Sequence, residues 1–260
     1  MSDFTLTQLI LTGLCFIWGG FVRTGLGFGG AALTLPILLL IDDDPLVFLP
    51  LIAMHLLFFS VWIPLTNHLN SKKIQQPASG IDWSYLKQTL WIILPPKILG
   101  VFGLLTLPSA LLSGIIFAIV LVYSLSYILN RPIQSHHPWL DKVFLVLGGY
   151  ISGTSLMGAP LLIAVYSTHV TRQQLRDTLF ALWFVLVLIK LASFIMMGVD
   201  MQWLHQLWLI PCVTMGHFLG LRFYGRMQQT EPVVFYRVLG SALLLISTIG
   251  LLRAFDVQTA

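Results

Sequence analysis

WGGFVRTGLGFGG at residues 18–30 and GGYISGTSLMGAP at 148–160 each interrupt a long apolar run with small residues. The runs that hold them, 4–41 and 143–168, are therefore expected to break midway. A glycine inside a helix costs about 1 kcal/mol relative to alanine and opens turn conformations to the backbone. The two stretches also resemble each other. Gly19-Gly20 before Phe21 parallels Gly148-Gly149 before Tyr150. After one residue of slippage, Gly25 parallels Gly153, and Gly30-Ala31 parallels Gly158-Ala159. Three long apolar segments follow each stretch, and Pro95 with Gly100 is echoed by Pro211 with Gly216. The chain reads as a duplication, 1–135 and 136–260, joined within NRPIQSHHPWLDK.

The surroundings of these breaks are a membrane. Of 260 residues, 57% are apolar and only 9% charged, with a mean hydropathy of +0.88. A soluble domain carries roughly 25% charge, and disordered chains are charge-rich and aromatic-poor. The formal charge of +4 comes from scattered cations with no basic stripe, which excludes a nucleic-acid partner. Cys15 and Cys212 lie in apolar stretches and make neither a disulfide framework nor a zinc site. GLGFGG at 25–30 fits a dinucleotide fingerprint only formally, because a membrane-like run precedes it rather than a strand. No phosphate-binding Walker motif occurs, and MSDFTLTQLI lacks the basic start of a cleavable signal.

Six segments have the roughly 20 residues that a crossing needs: 45–66, 85–107, 109–129, 178–198, 203–224 and 233–254. Charge decides how the broken runs behave. If each crosses once, the loop and segment-end cations divide almost evenly between the two sides. If each is a re-entrant hairpin of two half-helices of roughly 12–15 residues, too short to cross, the count changes. Lys72, Lys73, Lys87, Arg131, Lys142, Arg172, Arg176, Arg222, Arg226 and Arg237 then share one side, and only Arg253 faces the other. That asymmetry is what the positive-inside rule demands. The expected fold is all-α: two inverted repeats, each a hairpin (4–41, 143–168) plus three crossings, with both termini outside.

Inverted repeats with broken helices at mid-membrane are a transporter design. Helix starts there present free N–H groups and a positive dipole end, a cradle for an anion. Gly27, Gly29, Gly30, Ser155 and Gly158 fall at or beside the expected starts, with the hydroxyls of Thr24, Thr154 and Ser155 nearby. Arg23, Lys97 and Lys190 are cations away from loops and segment ends, with no acid at a comparable depth. A charge at the bilayer centre costs several kcal/mol and marks function. Lys97 and Lys190 lie roughly 8–12 residues from either segment end, at about 1.5 Å each, too far for easy snorkelling. The competing reading for these cations is pairing with backbone carbonyls. His55 and His217, inside segments, are candidate proton relays or interhelical hydrogen-bonding residues. Gly100 with Gly103, and Gly216 with Gly220, suit close helix packing. Trp62, Trp83, Trp91, Trp139, Trp203 and Trp208 read as interfacial anchors.

These residues predict a secondary transporter of small anions. A membrane enzyme would want a nucleophile–base pair or clustered acids. A channel or metal-cation permease, the alternative class, would want carboxylate or thiolate rings. Asp42-Asp43-Asp44 is the one acidic run, with the pattern of a solvated turn. No metal or cofactor is implied; the expected partners are the bilayer and a small anionic substrate, with homo-oligomerisation left open.

GLGFGGAALTLPILLL at 25–40, GIDW at 80–83 and GGYISGTSLMGAPLLIAVY at 148–166 resemble the sulfite exporter family TauE/SafE, also called TSUP permeases. RQQLRDTLFALWFVLVLIKL at 172–191 is similar to the family's Arg-x-Thr-Leu segment, here Arg176 to Leu179, followed by a basic residue. The resemblance spans nearly the whole chain. It implies a two-repeat permease moving sulfite, thiosulfate or organosulfonates across the inner membrane, with Lys190 standing where relatives carry a basic residue. Val187, Ala31-Ala32 and Lys97 depart from the family's pattern.

Overall fold

The computed structural model describes residues 1–260 except 2–3, 27–29, 74–79, 131–134, 136, 228–232 and 260. The described residues form helices and no strands: α1 (Leu6–Leu26), α2 (Gly30–Leu38), α3 (Pro45–Lys73), α4 (Trp83–Thr106), α5 (Ser109–Ile128), α6 (Pro138–Ser155), α7 (Ala159–His169), α8 (Arg172–Met196), α9 (Trp203–Met227) and α10 (Val233–Thr259). The expected all-α membrane architecture is what is found. By length and hydropathy, five helices among the described residues are able to cross a membrane: α1, α3, α4, α5 and α8. This criterion selects α1, which was expected to be half of a hairpin, and passes over α9, where His205, Gln206 and His217 dilute the apolar run.

Both broken runs fold back on themselves. In the first, Thr34 of α2 lies against Gly19 of α1, and Gln8 Nε2 donates to the Ile41 carbonyl at 3.5 Å, closing the base. In the second, Leu162 of α7 lies against Gly148 of α6, and His169 pairs with Asp141 at 3.4 Å. The arms are unequal rather than uniformly 12–15 residues: α1 has 21 and α2 has 9, while α6 has 18 and α7 has 11. The reason is that Gly19, Gly20 and Gly25 stay helical, and the first break falls after them. What these glycines lose in helix propensity is offset by packing that only they allow.

The chain divides into two compact units. The first comprises residues 1–51, 104–133 and 200–260, so it holds α1, α2, α5, α9 and α10. Here α1 and α9 meet through small residues. A Cβ on Gly20 would lie 2.5 Å from the Val213 carbonyl oxygen, and one on Gly220 would lie 2.6 Å from the Phe21 carbonyl oxygen. α5 and α10 meet in the same manner, with Gly240 on the Ser124 carbonyl and Gly250 under the Phe117 ring. Asp44 caps α3, its carboxylate accepting from the Leu46 N–H at 2.9 Å, so the acidic run is a turn and a helix start.

The second unit comprises residues 52–103 and 134–199 and holds α6, α7, α8 and most of α3 and α4. α4 sits on α6 through Gly149, whose added Cβ would lie 2.5 Å from the Ile93 carbonyl oxygen, and through Gly100 against the Tyr150 carbonyl. The Asp82 carboxylate caps α4 at the Tyr85 N–H, 3.0 Å away, while the Asp82 N–H donates to Thr178 of α8 at 3.0 Å. The expected packing role of Gly100, Gly216 and Gly220 is met in each unit. Five of the six interfacial tryptophans, Trp62, Trp83, Trp91, Trp139 and Trp203, are exposed, whereas Trp208 packs against Gly13.

Candidate functional site

The second hairpin tip is built by the end of one helix and the start of the next. α6 stops because Leu156 takes the left-handed conformation at φ 61°, and α7 starts two residues later with Pro160 in its first turn. A helix end leaves its last carbonyls unsatisfied. Here two lysines meet them. Lys97 Nζ, from α4, donates to the Ser152 carbonyl at 3.3 Å and to Ser152 Oγ at 3.1 Å. Lys190 Nζ, from α8, donates to the Gly153 carbonyl at 2.8 Å and the Thr154 carbonyl at 3.1 Å. Both side chains are 0% exposed. Snorkelling is thereby removed as an explanation, and carbonyl pairing is present.

Carbonyls at the negative end of a helix dipole favour cations, but they do not neutralise them. Neither lysine meets a carboxylate among the described residues, and the two act on each other electrostatically. An ammonium has three N–H groups, and two acceptors engage each one. At least one N–H of each lysine is left for a ligand, beside the first N–H groups of α7, which have no intrahelical partner. The tip is a cationic, donor-rich end with positive charge to spare.

The first hairpin repeats this plan with different chemistry. Thr24 Oγ1 lies 2.8 Å from His217 Nδ1 of α9, and both residues are buried. Val213, His217 and Gly220 on α9 keep the spacing of Ile93, Lys97 and Gly100 on α4. They also keep the contacts: Gly220 meets the Phe21 carbonyl as Gly100 meets the Tyr150 carbonyl, and Gly20 meets Val213 as Gly149 meets Ile93. Gly30 sits against the Gly19 carbonyl and Gly158 against the Gly148 carbonyl. His217 therefore occupies the place of Lys97, and Thr24 the place of Ser152. The sequence echo paired Gly216 with Gly100; the contacts pair Gly220 with it, one helical turn later.

The remaining expected residues fall as follows. The Thr154 and Ser155 hydroxyls both donate to the Ile151 carbonyl, at 3.1 Å and 3.0 Å, so their protons are committed within α6. Gly30 and Gly158 lie where the hairpin arms cross, a Cβ on Gly30 reaching 2.9 Å from Arg23 Cβ. Arg23 is buried beside Thr24 on α1, and His55 is buried on α3 in the second unit. Gly27 and Gly29 lie outside the described residues. Ser152 was not among the residues selected from sequence; its signal was its place before Gly153, matching that of Thr24 before Gly25. A cavity of ≈ 420 Å³ in the first unit is lined by Leu39–Asp43, Ala110, Ser113, Phe117, Gly250, Arg253 and Ala254, with Arg253 donating to the Leu40 carbonyl at 3.1 Å. No group of three or more metal-ligating side chains occurs among the described residues.

The model of the family described as sulfite exporter TauE/SafE matches residues 11–250. No curated protein and no solved structure matches the chain. That match covers both hairpins, both buried lysines and the Thr24–His217 pair. The chain belongs to the TauE/SafE sulfite exporter family, a family of multi-pass membrane transporters for sulfite-type compounds.

Proposed function

We propose that this protein is a secondary transporter of small anionic sulfur compounds such as sulfite, thiosulfate or organosulfonates, exporting them across the inner membrane by alternating access. The observation that carries the reading is the pair of fully buried ammonium groups, Lys97 and Lys190, on the closing carbonyls of α6. Buried cations without carboxylates are costly, and an anion at this tip offsets that cost. The ligand is held by the spare N–H groups of both lysines, the Ser152 hydroxyl and the opening N–H groups of α7. Arg23 and the first hairpin contribute from the other repeat. The matching contacts of the two hairpins support an inverted duplication, and the family supports transport over catalysis. An inside-negative potential drives anions outward by about 2.3 kcal/mol per charge per 100 mV.

The test is the thermal midpoint of the purified protein in detergent against sulfite, thiosulfate, sulfate, sulfoacetate, taurine and acetate. A ligand present at about 100 times its dissociation constant stabilises by about 2.7 kcal/mol. A shift with a sulfur oxyanion that disappears in Lys97→Gln or Lys190→Gln is the expected result. Shifts that survive both substitutions, or none with any anion, would remove the site and turn attention to cation permeation.

A further inference from the structure

The geometry points to a second anion-contacting group at the first hairpin, Thr24 with His217, that engages only while His217 is protonated; this rests on the anion-transport reading above. Ser152 and Thr24 occupy matching places, but their partners differ in one respect. The Lys97 ammonium has only donors, so Ser152 Oγ receives a proton from it at 3.1 Å, and the Ser152 O–H stays available. His217 Nδ1, at 2.8 Å from Thr24 Oγ1, works in either direction. With Nδ1 bare, the Thr24 O–H is committed to the ring. In the imidazolium both ring nitrogens donate, the Thr24 oxygen becomes the acceptor, and its O–H turns free. One proton thus adds a positive charge and releases a hydroxyl donor, producing the arrangement that Lys97 and Ser152 hold permanently.

The surroundings set the linkage. α1, packed on this face of α9, brings Cys15 and Arg23 and no carboxylate. α2, packed on α1, brings no ionisable side chain, and neither do Val47 and Pro50, the α3 residues that accept from Gln202 and Gln206. The other ionisable residues of α9 itself are His205, Cys212, Arg222, Tyr224 and Arg226. Arg23 beside Thr24 opposes a second cation, so the imidazolium forms most readily when an anion is present. By reciprocity, protonation raises anion affinity by the same factor. The bound anion travels with a proton, and the net charge moved falls by one. For a doubly charged oxyanion one negative charge still moves, and the potential still acts outward.

The test is calorimetric titration of the purified protein with thiosulfate, whose charge is constant between about pH 5.5 and about pH 8, a range that spans imidazole titration. In the wild type, affinity is expected to fall by up to about thirtyfold across that range for an imidazole of ordinary basicity. His217→Gln is expected to bind weakly at both pH values, and His217→Lys tightly at both. Either variant decides the question if the other fails to fold. A His217→Gln protein that keeps the wild-type pH dependence, while Lys97→Gln abolishes binding, overturns this inference and leaves the transport reading standing. Absence of thiosulfate binding by the wild type at both pH values overturns both.

Discussion

Ser152 and Ser155 are three residues apart on α6, yet only one has a hydroxyl proton to offer a ligand. Ser155 Oγ donates to the Ile151 carbonyl, whereas Ser152 Oγ accepts from Lys97. Ser152→Ala is therefore expected to weaken binding of a sulfur oxyanion about tenfold, the worth of one hydrogen bond to a charged group. Ser155→Ala is expected to leave it within about twofold, since the lost bond is internal to the helix. Titration of both variants with the same anion checks this, and equal losses would mean that the tip is arranged otherwise. The cations at this site were legible in the sequence because lysine at mid-membrane depth is so costly that it stands out against apolar neighbours. Ser152 was not, because serine in a helix has a bland default, the i−4 carbonyl, and only its partner on α4 shows that it escapes it.

Between helices, glycine decides how closely backbones approach. A Cβ on Gly100 would overlap the Tyr150 carbonyl and lie 3.1 Å from Gly153 Cα, and one on Gly220 would lie 2.8 Å from Thr24 Cβ. On α5, a Cβ on Gly114 would meet only Ala254 Cβ, at 3.7 Å, an ordinary contact. Gly100→Ala and Gly220→Ala are each expected to destabilise by about 1–3 kcal/mol, the usual cost of overpacking, because backbone atoms cannot swing aside. Gly114→Ala is expected to be neutral or to stabilise by up to about 1 kcal/mol through helix propensity. Thermal midpoints in detergent give the ranking, and a Gly100→Ala protein as stable as Gly114→Ala would contradict the close α4–α6 contact. The helices themselves were readable from their apolar runs. Where α1 ends was not: Gly19, Gly20 and Gly25 look like helix breakers when counted along the chain, and become helix-compatible only through α9, nearly two hundred residues away.

For the whole molecule, the duplication and the charge asymmetry are the two sequence signals that carry most. The first reappears in matched contacts, Gly30 on the Gly19 carbonyl and Gly158 on the Gly148 carbonyl, which a coincidence of composition would not produce. The compact units nevertheless cross the two halves, since the first hairpin packs with α9 and the second with α4. Periodicity along one chain cannot reveal such an exchange, because it depends on which glycine faces find each other. Each hairpin closes at its base, through Gln8 with Ile41 and Asp141 with His169, so each run returns toward the point where it began. A chain with two returning runs and six crossings puts Asp43 and Gln173 on opposite sides of the membrane; two single crossings in place of the hairpins would put them on the same side. With Cys15 and Cys212 replaced, single cysteines at these two positions are expected to react with an impermeant thiol reagent from opposite faces of sealed cells and inverted vesicles. The Asp43 position is expected to label from outside, because positive charge collects on the cytoplasmic side. Labelling of both from one face would remove the hairpin topology, and with it the argument that the start of α7 and the two lysines meet an anion at membrane depth.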